Sequence, residues 1–284
     1  SDYKFQPVEA DPNDIALLQY TGGTTGLSKG AVLTHTNLIS AAQSFWNTTE
    51  VFVSGNEVFV APLPLYHVYA FVAHIVVGVT YGVTSILISN PRDPSAFYTA
   101  LENTRFSLFV GINTLFNALC QDTRFRTLDF TGLKFTLSGG MALNQSVAHR
   151  WQALTQCPIN EGYGLTESSA GVIINRGETS RRLGSVGKPM QGVEIKIIDV
   201  DRQRLNVGEK GELHIKSNQV MKEYWQDPSA TDAVLRDGWL ATGDIATIDE
   251  DGFVYIVDRI KDVIIVSGFN VYPAEIEQVV NRLD

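Results

Sequence analysis

Cysteine is scarce in this sequence, and the two present, Cys120 and Cys157, show no Cys-x-x-Cys spacing and no neighbouring histidine cluster. This pattern predicts neither a disulfide framework nor a zinc site, and it fits a reducing compartment. Basic residues are also few, since 22 Lys and Arg stand against 31 Asp and Glu for a formal net charge of -9. Because no Lys/Arg-rich run occurs, bulk electrostatics exclude nucleic acid as an expected partner. An anionic ligand must be held by a local arrangement of donors.

A hydrophobic run long enough to span a membrane is also missing. No charged side chain occurs between Glu57 and Arg92, but prolines and glycines divide this stretch. The longest uninterrupted piece, "VYAFVAHIVVGV", has about a dozen residues where a bilayer needs about 20, so we expect a buried helix and strand. The start, "SDYKFQPVEADPND", is polar and acidic, unlike a signal peptide. A cytoplasmic location is therefore expected.

What the sequence does contain is enough apolar material for a large core, with 44% hydrophobic residues among 284. From Ile15 to about Asn175, short apolar runs alternate with helical patterns, which predicts an α/β sheet covered by helices. Thr36 is the predicted N-cap of the first helix. The predicted strands are "IALLQY", "GAVLTH", "TSILI", "SLFVGI" and "LKFTLSGG", and the helices are "TNLISAAQSFW" and "NQSVAHRWQAL".

The pattern of apolar and polar residues changes after residue 183. Short strands such as "VEIKIID", "GELHIKS" and "FVYIVDR" alternate with polar turns over residues 184–258, which predicts a β-rich, barrel-like subdomain. Residues 259–284 add one or two strands and a helix that begins at Pro273. This last piece is too small to bury a core of its own, so we expect it to be the start of a truncated third domain.

The stretch "YTGGTTGLSKG", between the first two predicted strands, has the composition of a phosphate-binding loop. Glycines let backbone N–H groups approach a ligand, hydroxyls add donors, and Lys29 adds a positive charge. A Walker A loop is disfavoured, because Ser28 instead of glycine precedes the lysine and a strand instead of a helix follows. A flexible hairpin loop without a ligand remains the alternative.

Other candidate residues lie in "EGYGLTE", "WLATGD" and "PLPLYHVYAF". The first offers Tyr163, Thr166 and Glu167 as an aromatic face, a hydroxyl and a carboxylate after a buried strand. The second offers Asp244, whose carboxylate can accept bonds from sugar hydroxyls, and the third offers His67 at the start of an apolar helix. Three of these residues also have an ordinary interpretation. Glu167 can be a cap or a solvated loop residue, Asp244 a turn aspartate, and His67 a satisfied core histidine.

Taken in order, these stretches resemble the signature motifs of the adenylate-forming superfamily of acyl-CoA synthetases, nonribosomal adenylation domains and luciferases. "DRIKDVIIVSGFNVYPAEIE" resembles the last of them, and "LPLYHVYAF", "GINTLFNAL" and "LSGGMAL" are most similar to bacterial long-chain fatty-acyl-CoA synthetases. The resemblance covers nearly the whole chain. It implies a large domain with a mixed sheet layered with helices, a small barrel-like subdomain, and the start of an α+β C-terminal domain.

The resemblance also implies roles for individual residues. Tyr163 would stack on adenine, Thr166 would contact phosphate, and Glu167 would hold Mg²⁺. Asp244 and Arg259 would hold the ribose hydroxyls. The β- and γ-phosphates of ATP would be wrapped by Thr21, Gly22, Gly23, Thr24, Thr25, Gly26 and Lys29.

Further roles concern the acid and the hinge. Gly139, Gly140 and Met141 would line the adenine base and the start of an acyl tunnel, and His67 would orient the reacting carboxylate. Lys261 would be the hinge about which the small C-terminal domain rotates.

The implied activity is that of an acid-thiol ligase, which converts a fatty acid, ATP and coenzyme A through an acyl-adenylate to acyl-CoA. Transfer to a carrier protein, or nucleotide binding without turnover, are the alternatives. In this family the adenylating lysine lies late in the C-terminal domain, beyond Asp284, so the chain alone is expected to be inactive or very weak. Peripheral attachment to the inner face of the membrane and a homodimer stay open.

Overall fold

A computed structural model describes residues 8–21, 28–177, 180–266 and 269–280. The described strands are β1 (Ile15–Tyr20), β2 (Gly30–Thr34), β3 (Val58–Ala61), β4 (Thr84–Leu87), β5 (Leu108–Gly111), β6 (Phe135–Ser138), β7 (Ile159–Leu165), β8 (Ala170–Ile174), β9 (Lys188–Pro189), β10 (Glu194–Ile198), β11 (Gly211–Lys216), β12 (Glu223–Tyr224), β13 (Leu235–Arg236), β14 (Trp239–Ile248), β15 (Val254–Arg259), β16 (Ile264–Val266) and β17 (Phe269–Val271). The described α-helices are α1 (His35–Thr49), α2 (Val68–Ala70), α3 (Val77–Tyr81), α4 (Pro94–Leu101), α5 (Asn113–Gln121), α6 (Gln145–Thr155), α7 (Pro228–Val234) and α8 (Pro273–Val280).

A seven-stranded mixed sheet forms the centre of the large unit, in the order β4-β3-β5-β6-β7-β8-β9. The first five strands are parallel, and β8 and β9 add antiparallel edges. Strands β5 and β6 are short and buried along their whole length, as expected for parallel strands covered by helices on both faces. The predicted mixed α/β fold is confirmed. Strand β9 still belongs to this sheet, although it follows residue 183.

Strands β1 and β2 form an antiparallel hairpin, and β12 pairs with the other edge of β2. The Gly/Thr-rich loop therefore connects two antiparallel strands, which is not the strand-loop-helix arrangement of a Walker A site. The N–H group of Thr21 donates to the carbonyl oxygen of Lys29 at 2.9 Å, which closes the base of this loop.

The first helix begins two residues earlier than its pattern indicated, because Thr34 and not Thr36 is the N-cap of α1. The Thr34 hydroxyl accepts from the N–H of Asn37 at 3.2 Å, and the Asn37 side-chain oxygen accepts from the N–H of Thr34 at 2.8 Å. This reciprocal pair satisfies two N–H groups that a helix start leaves unpaired. The prediction for Thr36 was wrong, since its hydroxyl donates instead to the carbonyl oxygen of Pro12 at 2.9 Å.

The charge-free stretch forms helix α2, a π-helical segment from Phe71 to Val76, and helix α3 in direct succession, followed by strand β4. The expected helix and strand are present, but β4 is a partly exposed edge strand and not the buried strand that was expected, with Leu87 59% exposed. Helix α3 ends at Gly82, which adopts a left-handed conformation with φ of 66°. Across the described ranges, no helix combines the length and the apolar character that crossing a bilayer requires.

The β-rich region, predicted as a barrel-like subdomain, forms a five-stranded antiparallel sheet. The ten-residue strand β14 pairs with β10's neighbour β11 along one edge, and with β13 and then β15 along the other. Irregular register near Ile245 and the positive φ of Gly243 bend β14 between its two partners. As a result, the two shorter strands β13 and β15 pair with different parts of the same edge of β14.

Buried Glu161, in the middle of β7, makes the stability of this fold depend on pH. Its Oε1 atom accepts from the N–H of Gly184 at 2.9 Å, but burial outweighs that bond and the charge of Arg181, and it raises the pKa of Glu161 to about 7. Below pH 4.5 the carboxyl group is protonated in both the folded and unfolded states. Between pH 4.5 and 7 the unfolded chain ionises first, so the free energy of unfolding falls as pH rises.

We expect Glu161→Gln to remove this dependence, because glutamine keeps the acceptor and cannot ionise. The wild-type loss between pH 4.5 and 7 is up to about 3 kcal/mol, which urea unfolding at several pH values would measure. The exposed Glu102 supplies the matched Glu→Gln control. Equal pH slopes in the wild type and the Glu161 variant would contradict the assignment.

Candidate nucleotide and acyl site

A cavity of about 800 Å³ lies between the seven-stranded sheet and the five-stranded sheet. Its walls come from residues that follow β3 and β6, from the second half of β7, and from β14 and the end of β15. Ligand sites in sheets of this kind lie outside the carboxyl ends of the parallel strands. The sequence-predicted residues that the cavity brings together are Thr21, Lys29, His67, Gly139, Gly140, Tyr163, Thr166, Glu167, Asp244, Arg259 and Lys261.

Asp244 is the centre of the best-defined group of polar contacts in this cavity, and only 4% of its surface is exposed. The Tyr163 hydroxyl donates to Asp244 Oδ2 at 2.5 Å, and Arg259 Nε lies 3.3 Å from Asp244 Oδ1. Strand pairing explains the second contact, because Asp244 on β14 lies directly opposite Arg259 on β15. Burial raises the pKa of Asp244 above its ordinary value, while the bond from Tyr163 and the charge of Arg259 act in the other direction.

Glu212 holds the turn that carries Asp244. Its Oε1 atom accepts from the N–H of Gly243 at 3.0 Å, and its Oε2 atom lies 3.2 Å from His214 Nε2. The bond from His214 lowers the pKa of Glu212, so this carboxyl group is ionised at neutral pH. Glu212 itself lines the cavity, which places a second carboxylate beside Asp244.

Glu167 lies in a single 3₁₀ turn from Thr166 to Ser168, directly after β7. Its Oε1 atom accepts from the hydroxyl of Tyr224 at 2.6 Å. The ammonium group of Lys29 lies 5.0 Å from the centre of the Tyr224 ring, within the range of a cation–π contact. Lys29, at the end of the predicted phosphate loop, and Glu167, the predicted metal ligand, therefore both contact Tyr224.

His67 is exposed and is the N-cap of α2, so it is not the satisfied core histidine of the ordinary interpretation. Its Nδ1 atom accepts from the N–H of Tyr69 at 3.2 Å, so the neutral ring carries its proton on Nε2. The side-chain amide of Gln19 donates to the carbonyl oxygen of Tyr66 at 3.1 Å, which attaches β1 to the segment before His67. The buried histidine of this region is His74.

An apolar arm of the cavity extends among α1, the helical segment after His67, β6, β8 and the residues after β9. Tyr69 lies within it, but its hydroxyl is already used, since it donates to the carbonyl oxygen of Leu137 at 3.2 Å. The apolar side chains that line the arm are Ala41, Phe45, Val68, Val72, Ala73, Val77, Leu137, Ile174 and Met190. Most of them belong to the buried core, so the arm penetrates the hydrophobic interior.

Some predicted residues lie elsewhere. Met141 is 54% exposed and is not among the residues that line the cavity, although Gly139 and Gly140 are. In the "GINTLFNAL" stretch, Leu115 and Phe116 pack into the core, and Phe116 leaves no room for a side chain at Gly111. The predicted phosphate-loop residues Gly22, Gly23, Thr24, Thr25 and Gly26 lie outside the described residues.

Sequence reasoning missed Glu212 and Tyr224, both of which line the cavity. The alternation in "GELHIK" does place Glu212 and His214 on one face of a strand, and this signal was available. No comparable signal exists for Tyr224, because its contact with Glu167 joins positions 57 residues apart.

The described residues contain no group of three or more His, Cys, Asp or Glu side chains that could hold a metal ion. Glu167 lines the cavity, and so does Thr166, the residue directly before it. Mg²⁺ is commonly bound through one or two protein carboxylates and completes its shell with waters and phosphate oxygens. The donors present therefore fit a magnesium ion that arrives with a triphosphate.

The family model described as "AMP-binding enzyme" matches residues 1–225. The chain belongs to this family. A long-chain-fatty-acid-CoA ligase from Haemophilus influenzae is 49% identical over 276 residues, which are 96% of this chain and 49% of the relative. A ligase of the same name from Yersinia pestis is 47% identical over 94% of this chain and 48% of its own length. This AMP-binding chain thus spans about half the length of these curated relatives.

Solved structures of AMP-binding enzymes share the fold. The ATP-bound MatB from Rhodopseudomonas palustris aligns with a TM-score of 0.87 at 32% identity, over 96% of this chain and 54% of that one. The O-succinylbenzoate coenzyme A synthetase from Bacillus subtilis, in complex with ATP and a magnesium ion, aligns with a TM-score of 0.87 at 30% identity, over 97% and 57%.

Proposed function

We propose that this chain forms the nucleotide-binding and acyl-binding part of an acid-thiol ligase that activates a fatty acid with ATP. The observation that carries the proposal is a single cavity with two kinds of wall. One end has the ionic and hydroxyl groups around Asp244 and Glu167, and it continues into an apolar arm inside the core. A substrate with a reactive carboxylate and a long apolar tail can place its two parts in these two regions.

At the polar end, the nucleotide is held by groups already oriented by one another. Asp244 keeps free lone pairs after accepting from Tyr163 and pairing with Arg259, so it can accept from two ribose hydroxyls. The ring of Tyr163 offers a face for adenine. Lys29 and Thr166 supply charge and a hydroxyl for the phosphates, and Glu167 with Thr166 would hold Mg²⁺, which would neutralise phosphate charge when bound.

The proposed reaction has two steps. In the first, a carboxylate oxygen of the fatty acid attacks the α-phosphorus of ATP, an acyl–phosphate bond forms, and pyrophosphate leaves. In the second, the sulfur of coenzyme A attacks the acyl carbonyl carbon, a thioester forms, the thiol proton is released, and AMP leaves. Negative charge develops on phosphate oxygens, so donors such as Lys29 stabilise it, while the Nε2–H of His67 can orient the reacting carboxylate. No covalent enzyme nucleophile is needed.

The apolar arm favours an aliphatic acid over a polar one. Its lining is hydrocarbon apart from Tyr69, whose hydroxyl is already bonded, so a charged or hydroxylated tail would lose its water without gaining partners. The ligases from Haemophilus influenzae and Yersinia pestis are named for long-chain fatty acids, which supports the same substrate class. Related synthetases named for feruloyl groups are 38% identical.

The test is the exchange of labelled pyrophosphate into ATP, measured with fatty acids of increasing length. Because this chain spans about half of its relatives, exchange is measured on a protein of their length that contains it, and AMP binding on the chain itself. We expect exchange that depends on a long-chain acid. Absence of exchange with every acid, together with tight nucleotide binding, would favour a non-catalytic binding module. Acylation of a carrier protein without acyl-CoA formation would favour the carrier as acceptor.

A further inference from the structure

Tyr224 occupies a position between the two groups of the cavity that face the phosphates. It lies on β12, opposite Ala31 of β2, and is 6% exposed. The carbonyl oxygen of Gly30, directly after Lys29, accepts from the N–H of Trp225 at 2.7 Å. On the other side, the N–H of Met221 donates to the carbonyl oxygen of Glu167 at 2.7 Å. The segment from residue 221 to residue 225 is therefore bonded to the backbone of Glu167 and to that of Gly30, the residue after Lys29.

The side chain of Tyr224 also contacts both Glu167 and Lys29. Its hydroxyl donates to Glu167 Oε1 at 2.6 Å, and its ring lies 5.0 Å from Lys29 Nζ. Burial and the charge of Glu167 raise the pKa of Tyr224, so the hydroxyl remains a donor through the neutral range. A glutamate at a cavity wall can adopt several rotamers, and a lysine even more, so a common rigid partner reduces the entropy that either loses when a ligand binds.

We propose that Tyr224 is a positioning residue that holds Glu167 and Lys29 in the geometry required by magnesium-bound triphosphate. This inference rests on the proposed function, because it takes Glu167 and Lys29 as the phosphate-facing groups. It assigns Tyr224 no contact with the reacting atoms. Its effect must therefore pass through Glu167 and Lys29, and it must appear with ligands that carry β- and γ-phosphates and not with AMP.

The experiment compares MgATP and AMP binding by calorimetry for wild type, Tyr224→Phe, Glu167→Gln and the double variant. Loss of one hydrogen bond to a charged group corresponds to MgATP binding about 10- to 30-fold weaker in Tyr224→Phe. AMP binding should stay within about 2-fold of wild type. The double variant should bind MgATP no more weakly than Glu167→Gln alone, because the hydroxyl of Tyr224 is proposed to act through the Glu167 carboxylate, which Glu167→Gln has already removed.

The matched control is Tyr255→Phe. The Tyr255 hydroxyl also donates to a carboxylate, Asp249 Oδ2 at 3.1 Å, but Tyr255 does not line the cavity. Unchanged MgATP binding in Tyr224→Phe, equal weakening of MgATP and AMP, or additive effects in the double variant would each overturn the positioning role. If Tyr224→Phe unfolds, Glu167→Asp tests the same contact, since the shorter side chain keeps the carboxylate but withdraws it from the Tyr224 hydroxyl, and unchanged MgATP binding there overturns the role. A wild type that binds neither nucleotide would overturn the proposed function and this inference with it.

Discussion

Replacement of Asp244 by asparagine is expected to weaken AMP binding by at least about 100-fold, the largest effect of any single change in this cavity. The carboxylate is buried, accepts from Tyr163 and pairs with Arg259, and the proposed ribose contacts would be two more charge-assisted bonds at about 1.5–3 kcal/mol each. Asparagine loses the charge and half of the acceptor sites, and it leaves Arg259 without its partner. Calorimetric titration with AMP measures the change directly.

Asp251→Asn is the matched control for this variant. Asp251 also pairs with an arginine, Arg182, but its side chain is 65% exposed and it does not line the cavity. Its removal should leave AMP affinity unchanged, since exposed ion pairs contribute little. An Asp244→Asn protein that folds normally and binds AMP as tightly as wild type would remove the ribose role from this residue.

The apolar arm leads to the second large effect, expected for Ala73→Phe. Ala73 lies in the π-helical segment, lines the arm and is 7% exposed, so a benzyl group there would project into space that the acyl tail would occupy. We expect exchange with long-chain acids to fall by at least about 10-fold and the preferred acid to become shorter, because a filled arm cannot accept the distal methylene groups. AMP binding should not change, since Asp244 and Tyr163 lie at the other end.

Val79→Phe is the control for added volume in the same helical stretch. Val79 is 85% exposed and does not line the arm, so its enlargement should leave the chain-length profile as it is. The exchange of labelled pyrophosphate into ATP is measured, with acids of increasing length, on the protein that has the full length of the relatives and contains this chain. If Ala73→Phe and wild type prefer the same acid with the same efficiency, the tail does not occupy this arm.

Much of the architecture could be predicted because it depends on local patterns. The buried strand β5 is a continuous apolar run, and the N-cap of α6 is Asn144, the first residue of the stretch predicted as a helix, whose side chain accepts from the N–H of Ser146. The N-cap of α1 was misplaced by two residues, because two threonines offered the same local chemistry and only the contact with Pro12 decided between them. The strand order of the five-stranded sheet could not be predicted for a related reason, since strand spacing does not reveal that β13 and β15 share an edge of β14.

The sequence by itself determined the chemical inventory of the site, because each motif places its glycines, hydroxyls and charges within a few neighbouring positions. Only the tertiary structure decided how those groups combine. Tyr163 meets Asp244 across 81 residues and Tyr224 meets Glu167 across 57, and in both pairs the two residues do not lie on neighbouring strands of one sheet. Such contacts arise from the packing of separate sheets and from burial, which depend on the whole chain at once. The glycine-rich loop could be identified as a phosphate-binding candidate from its residues, whereas the tyrosine that joins its lysine to Glu167 became visible only in three dimensions.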